Sequence, residues 1–282
     1  MGSYGAAPNP EILPPGTGDE PRSPAARRPR RSWAAAATYL LVGINCAVFL
    51  AMTLHGVSPI NPDPDTLFQH WGANHAGAVL DDGQWTRIVT AMFVHVGIVH
   101  LATNMWCLWN LGMLAEPLMG SFGLIAVYIL TGAAGNLLST AVNWVWPLHD
   151  AAGNVGYPVG AGASGAVFGI AGALIVLLKS TRLPVPPAEL RRLRRSVIYF
   201  AVINLVIGAS ISFGSKLTGI HIDNMAHLGG FSCGLLFAVP MVPRIGSERR
   251  QFDFRFGLAV SMIVGVLVLF GFFLSNLSRT PG

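Results

Sequence analysis

The sequence predicts an all-α fold, a polytopic bundle of membrane-spanning helices, and three observations carry that prediction. Of 282 residues, 52% are hydrophobic and 11% are charged, where a soluble domain carries about 25% charged residues. The apolar residues gather into runs near the roughly 20 residues that a helix needs to cross a bilayer. The charges sit in the gaps between those runs. Cys46, Cys107 and Cys233 all lie inside apolar runs without metal-ligand spacing, so they read as small packing residues.

Residues 1–32 are rich in Pro, Gly, Ala and Arg and lack apolar periodicity, which predicts a disordered basic tail. Arg27, Arg28, Arg30 and Arg31 border the first apolar run in the manner of a signal peptide. That run, 33–54, is longer than a signal core and has no clean cleavage site, so it is the first predicted span. Residues 55–89 form a long loop with Pro59, Pro62, Pro64, four aspartates and several aromatics. Trp71 and Trp85 suit a membrane interface, and the loop is expected to fold partly onto the membrane surface.

Further spans are predicted at 90–115, 122–144, 162–179, 196–213, 221–242 and 255–275. A tight turn at 116–120 joins the second to the third, and a Gly- and Pro-bearing loop at 145–160 leads to the fourth. The connectors 180–195 and 243–254 are basic. As domains, this gives the tail 1–32, a six-helix core at 33–245 whose motifs occupy about 84–243, and 246–282 as a connector, a seventh span and a short tail.

Fifteen of the eighteen Lys and Arg residues fall in 1–32, 179–195 and 243–255, leaving Arg87, Lys216 and Arg279 for the other side. Basic loops are retained inside. The reading is therefore a multi-pass protein of the cell membrane with a cytoplasmic N-terminus and an external C-terminus. The basic runs act as topology signals, which removes nucleic acid as a partner despite a pI near 9.5.

The chemistry turns on 160–169, Gly-Ala-Gly-Ala-Ser-Gly-Ala-Val-Phe-Gly, at the mouth of the fourth span. By itself, Ser164 among small residues reads as a helix-packing site. The second reading, not favoured by this stretch alone, is a nucleophile whose neighbours must be small for a substrate backbone to reach it. Polar residues at matching depth turn the balance toward the nucleophile. His227 lies about six residues into the sixth span, roughly 9 Å below the outer surface. His95, His100 and Asn104 are expected on the second span, at about five, ten and fourteen residues in, with His95 near enough to the surface to be solvated. His100 and Asn104 are four apart and share a helix face; such residues are costly in a bilayer and usually mark a function. Asn104 alone would be interhelical glue.

Gly230 and Gly234 lie on one stripe of the sixth span and are expected to pack against Gly162, Gly165 and Gly169. That contact would carry His227 toward Ser164. Phe168, one turn beyond Ser164, either stacks on the imidazole or is an ordinary core residue. A metal held by His100 and His227 finds no HExxH and no intramembrane carboxylate to support it, so neither metal nor cofactor is expected.

Together these residues resemble the rhomboid family of intramembrane serine proteases. Gly162-Ala163-Ser164-Gly165 matches the family's GxSG, Ala226-His227-Leu228-Gly229-Gly230 followed by Gly234 its AHxxGxxxG, and His100 to Asn104 its HxxxN. Gln84-Trp85-Thr86-Arg87 is similar to its Trp-Arg element, with Thr86 intervening. The seventh span is that of a six-plus-one subtype of bacterial type. The resemblance implies Ser164 as nucleophile and His227 as general base, a dyad with no third carboxylate. Asp223, one turn before His227, reads as a rim residue or as an orienting group. The implied oxyanion hole is the Ser164 N–H with the His100 and Asn104 side chains, Gly162 keeping that backbone open. The implied substrates are single-span membrane proteins cut near the outer face, with the lipid bilayer as medium. The rival expectation is a catalytically inactive rhomboid-like protein that binds and escorts membrane clients.

Overall fold

The computed structural model describes residues 35–149, 152–218 and 223–279, with the backbone alone at 209–218, 278 and 279. The expected tail, 1–32, and the entry to the sixth span at 221–222 lie outside the described residues. Helix α1 is Ala36–Leu54. Three short helices follow, α2 (Pro64–Trp71), α3 (Ala76–Leu80) and α4 (Arg87–Thr90), then a 3-10 turn at Ala91–Phe93. Helix α5, Ile98–Val145, is two limbs of one 48-residue element broken at Gly120. Strands β1 (Leu148–His149) and β2 (Val155–Gly156) pair antiparallel. Helices α6 (Ser164–Leu177), α7 (Pro187–Thr218), α8 (Asn224–Ala238) and α9 (Arg249–Arg279) complete the order.

The molecule is a multi-pass helical membrane bundle. Helices α1, α5 and α9 are each long and apolar enough to cross a membrane, and α5 supplies two of the expected spans. Helix α6 is the centre: eleven of its fourteen residues are buried, and it packs most closely on α8 and then on α5. Large apolar side chains such as Leu50, Leu269 and Phe272 stay exposed on the outer surface, as lipid-facing positions do. Between α9, α4 and the second limb of α5 runs an apolar groove of about 370 Å3, lined by Trp85, Ile88, Leu137, Leu267 and Phe272 among others.

Several boundaries differ from the sequence expectation, each for a local reason. The second span begins at Ile98, not near 90. Ala91, Met92 and Val94 are apolar because the fold buries them, at 0–1% exposure, not because lipid surrounds them. The expected turn at 116–120 is mostly helix. Glu116 stays helical and buried, and the chain reverses only at Gly120, whose φ of 74° favours glycine. The Glu116 carboxylate accepts from the Ala37 N–H (2.9 Å), the Thr38 N–H (2.9 Å), the Thr38 hydroxyl (2.7 Å) and the Ser121 hydroxyl (2.7 Å). Helices α7 and α9 start six to nine residues before their expected positions, so most basic residues of the two connectors ride on helical extensions, Arg182 and Arg244 excepted. Proline suits the first position of α7 because its missing N–H would be unpaired there.

The segment 55–97 is folded throughout. Asp63 caps α2 by accepting from the Thr66 N–H (3.0 Å), with Pro64 next in line. His75 caps α3, its Nδ1 accepting from the Ala78 N–H (3.2 Å). Arg87 is 9% exposed. It donates to the Phe68 carbonyl (2.7 Å), the Ala73 carbonyl (2.9 Å) and Gln84 Oε1 (2.6 Å), and its guanidinium lies 4.5 Å over the Phe68 ring. One buried cation thus gathers three parts of a loop.

Candidate active site

The α6–α8 contact is backbone on backbone. A methyl group at Gly230 would overlap the Gly165 carbonyl, and one at Gly234 would overlap the Gly169 carbonyl. At Gly165 an added Cβ would sit 3.2 Å from the Ala226 carbonyl oxygen. Gly162 has a different neighbour from the one expected. Its φ of +125° belongs to glycine, and a Cβ there would come 2.6 Å from His100 Cε1. So Gly230 and Gly234 meet Gly165 and Gly169, while Gly162 accommodates the His100 ring.

Ser164 is the first residue of α6, with Ala163 as N-cap, and is half-buried. An N1 residue has no intrahelical acceptor for its N–H, and the positive end of the helix dipole lies there. His227 is the fourth residue of α8 and 7% exposed. Its ring stacks on Phe168, with centroids 4.4 Å apart and planes 13° from parallel. Phe168 is four residues after Ser164, on the same face of α6. Helical side chains lean toward the N-terminus, so the Phe168 ring leans toward the turn that bears Ser164. The His227 Nδ1 is buried and has no hydrogen-bond partner among the described residues.

Asp223 does not fill that role. It is the N-cap of α8, with Oδ1 accepting from the Ala226 N–H (2.9 Å) and Oδ2 from the Ser139 hydroxyl. His100 falls in the first turn of α5 and Asn104 in the second, not ten and fourteen residues deep. The His100 Nδ1 accepts from the Val96 N–H (3.3 Å), which puts the proton of the neutral ring on Nε2, at the edge facing Gly162. Asn104 is 7% exposed and donates one amide hydrogen to the His100 carbonyl (2.9 Å), leaving the second for another acceptor.

His95 departs from expectation. It precedes α5 and is 0% exposed, with its ring 5.3 Å from that of His100, so it is not a solvated surface group. His55 is the C-cap of α1, His75 the N-cap of α3, and His149 lies in β1. Among the described residues no three His, Cys, Asp or Glu side chains are placed to hold a metal. Two contacts to the loop before Ser164 had no signal in the sequence. The Gly162 N–H donates to the Ala91 carbonyl (2.9 Å), and Asn74 pairs with Gly160.

Comparison with known proteins agrees with the motifs. A family model for the rhomboid domain matches residues 82–244. The chain is 30% identical over 211 residues to rhomboid protease GluP of Bacillus subtilis, covering 74% of this chain and 36% of that protein. It is 30% identical over 218 residues to rhomboid protease AarA of Providencia stuartii, covering 74% and 73%. It is 27% identical to RHOMBOID-like protein 7 of Arabidopsis thaliana, covering 74% and 57%. The chain thus spans about a third of the length of the first of these relatives and more than half of the third.

Proposed function

The chain belongs to the rhomboid family, and on that footing we propose that it is an intramembrane serine endopeptidase working through a Ser164–His227 dyad. The observation that carries this reading is the His227 imidazole lying flat on Phe168, one turn along the same helix face from Ser164. In the reaction, His227 takes the Ser164 proton as the oxygen attacks the scissile carbonyl carbon. The imidazolium then returns that proton to the departing amine. Water hydrolyses the acyl-enzyme by the same exchange in reverse. The Ser164 N–H, the His100 Nε2–H and the free Asn104 amide hydrogen are the donors for the oxyanion; one such donor is worth about 3 kcal/mol. With no acceptor on Nδ1 among the described residues, stacking and burial hold the ring.

The basic distribution supports a cytoplasmic N-terminus and a cleft toward the external face of the cell membrane. The substrates are single-span membrane proteins. A helical backbone is already hydrogen-bonded, so helix-weakening Gly or Pro near the cut favours cleavage.

The test is labelling of detergent-solubilised protein with a fluorophosphonate probe. Wild type should label, while Ser164→Ala and His227→Ala should fold and stay unlabelled. Equal labelling of wild type and Ser164→Ala removes the protease reading. Comparison of shed ectodomains from cells carrying either form would identify the substrates.

A further inference from the structure

We infer that Asn74 is a positioning residue for the loop that leads into Ser164, acting from the surface segment 55–97; the inference rests on the protease reading above. The Asn74 N–H donates to the Gly160 carbonyl (2.7 Å), and the Gly160 N–H donates back to the Asn74 carbonyl (2.9 Å). Those two bonds form an isolated antiparallel bridge between segments 86 residues apart. The Asn74 side chain is what fixes this bridge in space. It is 2% exposed. Its Nδ2 donates to the Asn136 carbonyl (3.2 Å), and its Oδ1 accepts from the Thr140 hydroxyl (3.1 Å). Both partners are on the second limb of α5, one turn apart. A side chain that donates at one end and accepts at the other is needed to span them, which Asn does and Ala, Leu or Asp does not. Asn136 returns the tie, its own Nδ2 donating to the Ile88 carbonyl (2.9 Å).

The consequence for Ser164 follows from chain length. Gly160 is pinned by Asn74, Gly162 is pinned by Ala91, and Ser164 opens α6. The pose of the intervening residues, including the Gly162 backbone against His100, is set at both pins from the same segment. Loss of the Asn74 side chain removes the tie to α5, so the bridge opens more often and the loop before Ser164 moves with it. A displacement near 1 Å at a reacting group can cost up to about a hundredfold in rate.

The experiment uses the full-length protein in detergent, in wild-type, Asn74→Ala, Thr140→Val and doubly substituted forms. Two readouts are taken well below each thermal midpoint: fluorophosphonate labelling of Ser164 under saturation, and hydrogen exchange of the Gly160 and Gly162 amides. The expected result for Asn74→Ala is a roughly tenfold fall in the maximal labelling rate, with the half-saturating probe concentration unchanged within twofold. Exchange at Gly160 and Gly162 should rise in parallel. Thr140→Val should give a smaller shift of both, and the double form should match Asn74→Ala, since the two act through one link. A lowered thermal midpoint with both readouts unchanged would make Asn74 merely structural and overturn the inference. So would slower labelling without faster exchange. If Asn74→Ala does not fold, Thr140→Val decides alone on the same criteria. A wild-type protein that never labels would sink the protease reading, and the exchange data would still decide the clamp.

Discussion

Two walls meet at Ser164, and they are held by different forces. On one side α6 and α8 touch through their backbones, with Gly165 against Gly230 and Gly169 against Gly234. Nothing there is adjustable, because there is no side chain to rotate. On the other side the loop 160–163 hangs from the segment 55–97 by hydrogen bonds through Asn74, Ala91 and, at one remove, Arg87. Each such bond contributes roughly 1 kcal/mol net, with larger penalties when a buried partner is orphaned. The comparison teaches that the serine–imidazole relation is a packing problem, whereas the pose of the loop before the serine is a hydrogen-bonding problem. The two should fail differently.

The largest effect is expected from Gly230→Ala. Its methyl group cannot be placed without moving α8 away from Gly165, which carries His227 with it. Labelling should fall by about a hundredfold or more, while circular dichroism still reports a helical bundle. Labelling within threefold of wild type would mean that the helix contact does not set the serine–histidine relation. Next comes Glu116→Ala, in neither wall. It removes the acceptor of two amides and two hydroxyls, and should lower unfolding stability by about 3 kcal/mol while leaving the labelling rate of folded protein unchanged within twofold. Denaturant titration in detergent alongside the probe separates the two. A labelling loss as large as that of Gly230→Ala would erase the distinction between site and scaffold.

The smallest effect is pH-dependent and belongs to the hydrogen-bonded wall. Burial first, and the nearby Arg87 charge second, hold the His75 imidazole below its ordinary value. The direction suits its work, because only a ring with an unprotonated Nδ1 can accept from the Ala78 N–H. A depressed folded value means that the unfolded chain binds the proton more readily. The contribution is therefore complete above the unfolded value of about 6.5 and is lost as pH falls through the folded one. His75→Ala should cost roughly 0.5–1 kcal/mol at pH 7.5, as for other N-caps. The gap in thermal midpoint between variant and wild type should close on acidification; a gap constant from pH 7.5 to 4.5 contradicts the capping role.

How legible each wall is in the sequence follows from the same contrast. Gly230, Gly234, Gly165 and Gly169 announce themselves by spacing, since residues four apart share a helix face. Ser164, His227, His100 and Asn104 stand out as polar groups in apolar surroundings. The start of the second span at Ile98 is hidden because Met92 and Val94 are as apolar in a folded loop as they would be in lipid. Asn74 carries no local signal, and Arg87 is marked only by the motif-like run 84–87, which says nothing of its burial. Most of their partners are main-chain carbonyls, which every residue has, at positions that only the fold brings near. His95 is obscured for a related reason, because its burial comes from loop packing and not from depth in a helix.

Helix α1 has no side-chain cap of its own. The acceptor for its first amides is Glu116, 79 residues further along the chain. During synthesis α1 therefore reaches the membrane before its acceptor has been made, and its leading amides depend on interfacial water until the first limb of α5 arrives. The carboxylate joins α1 to the bundle only when the first limb of α5 stands beside it.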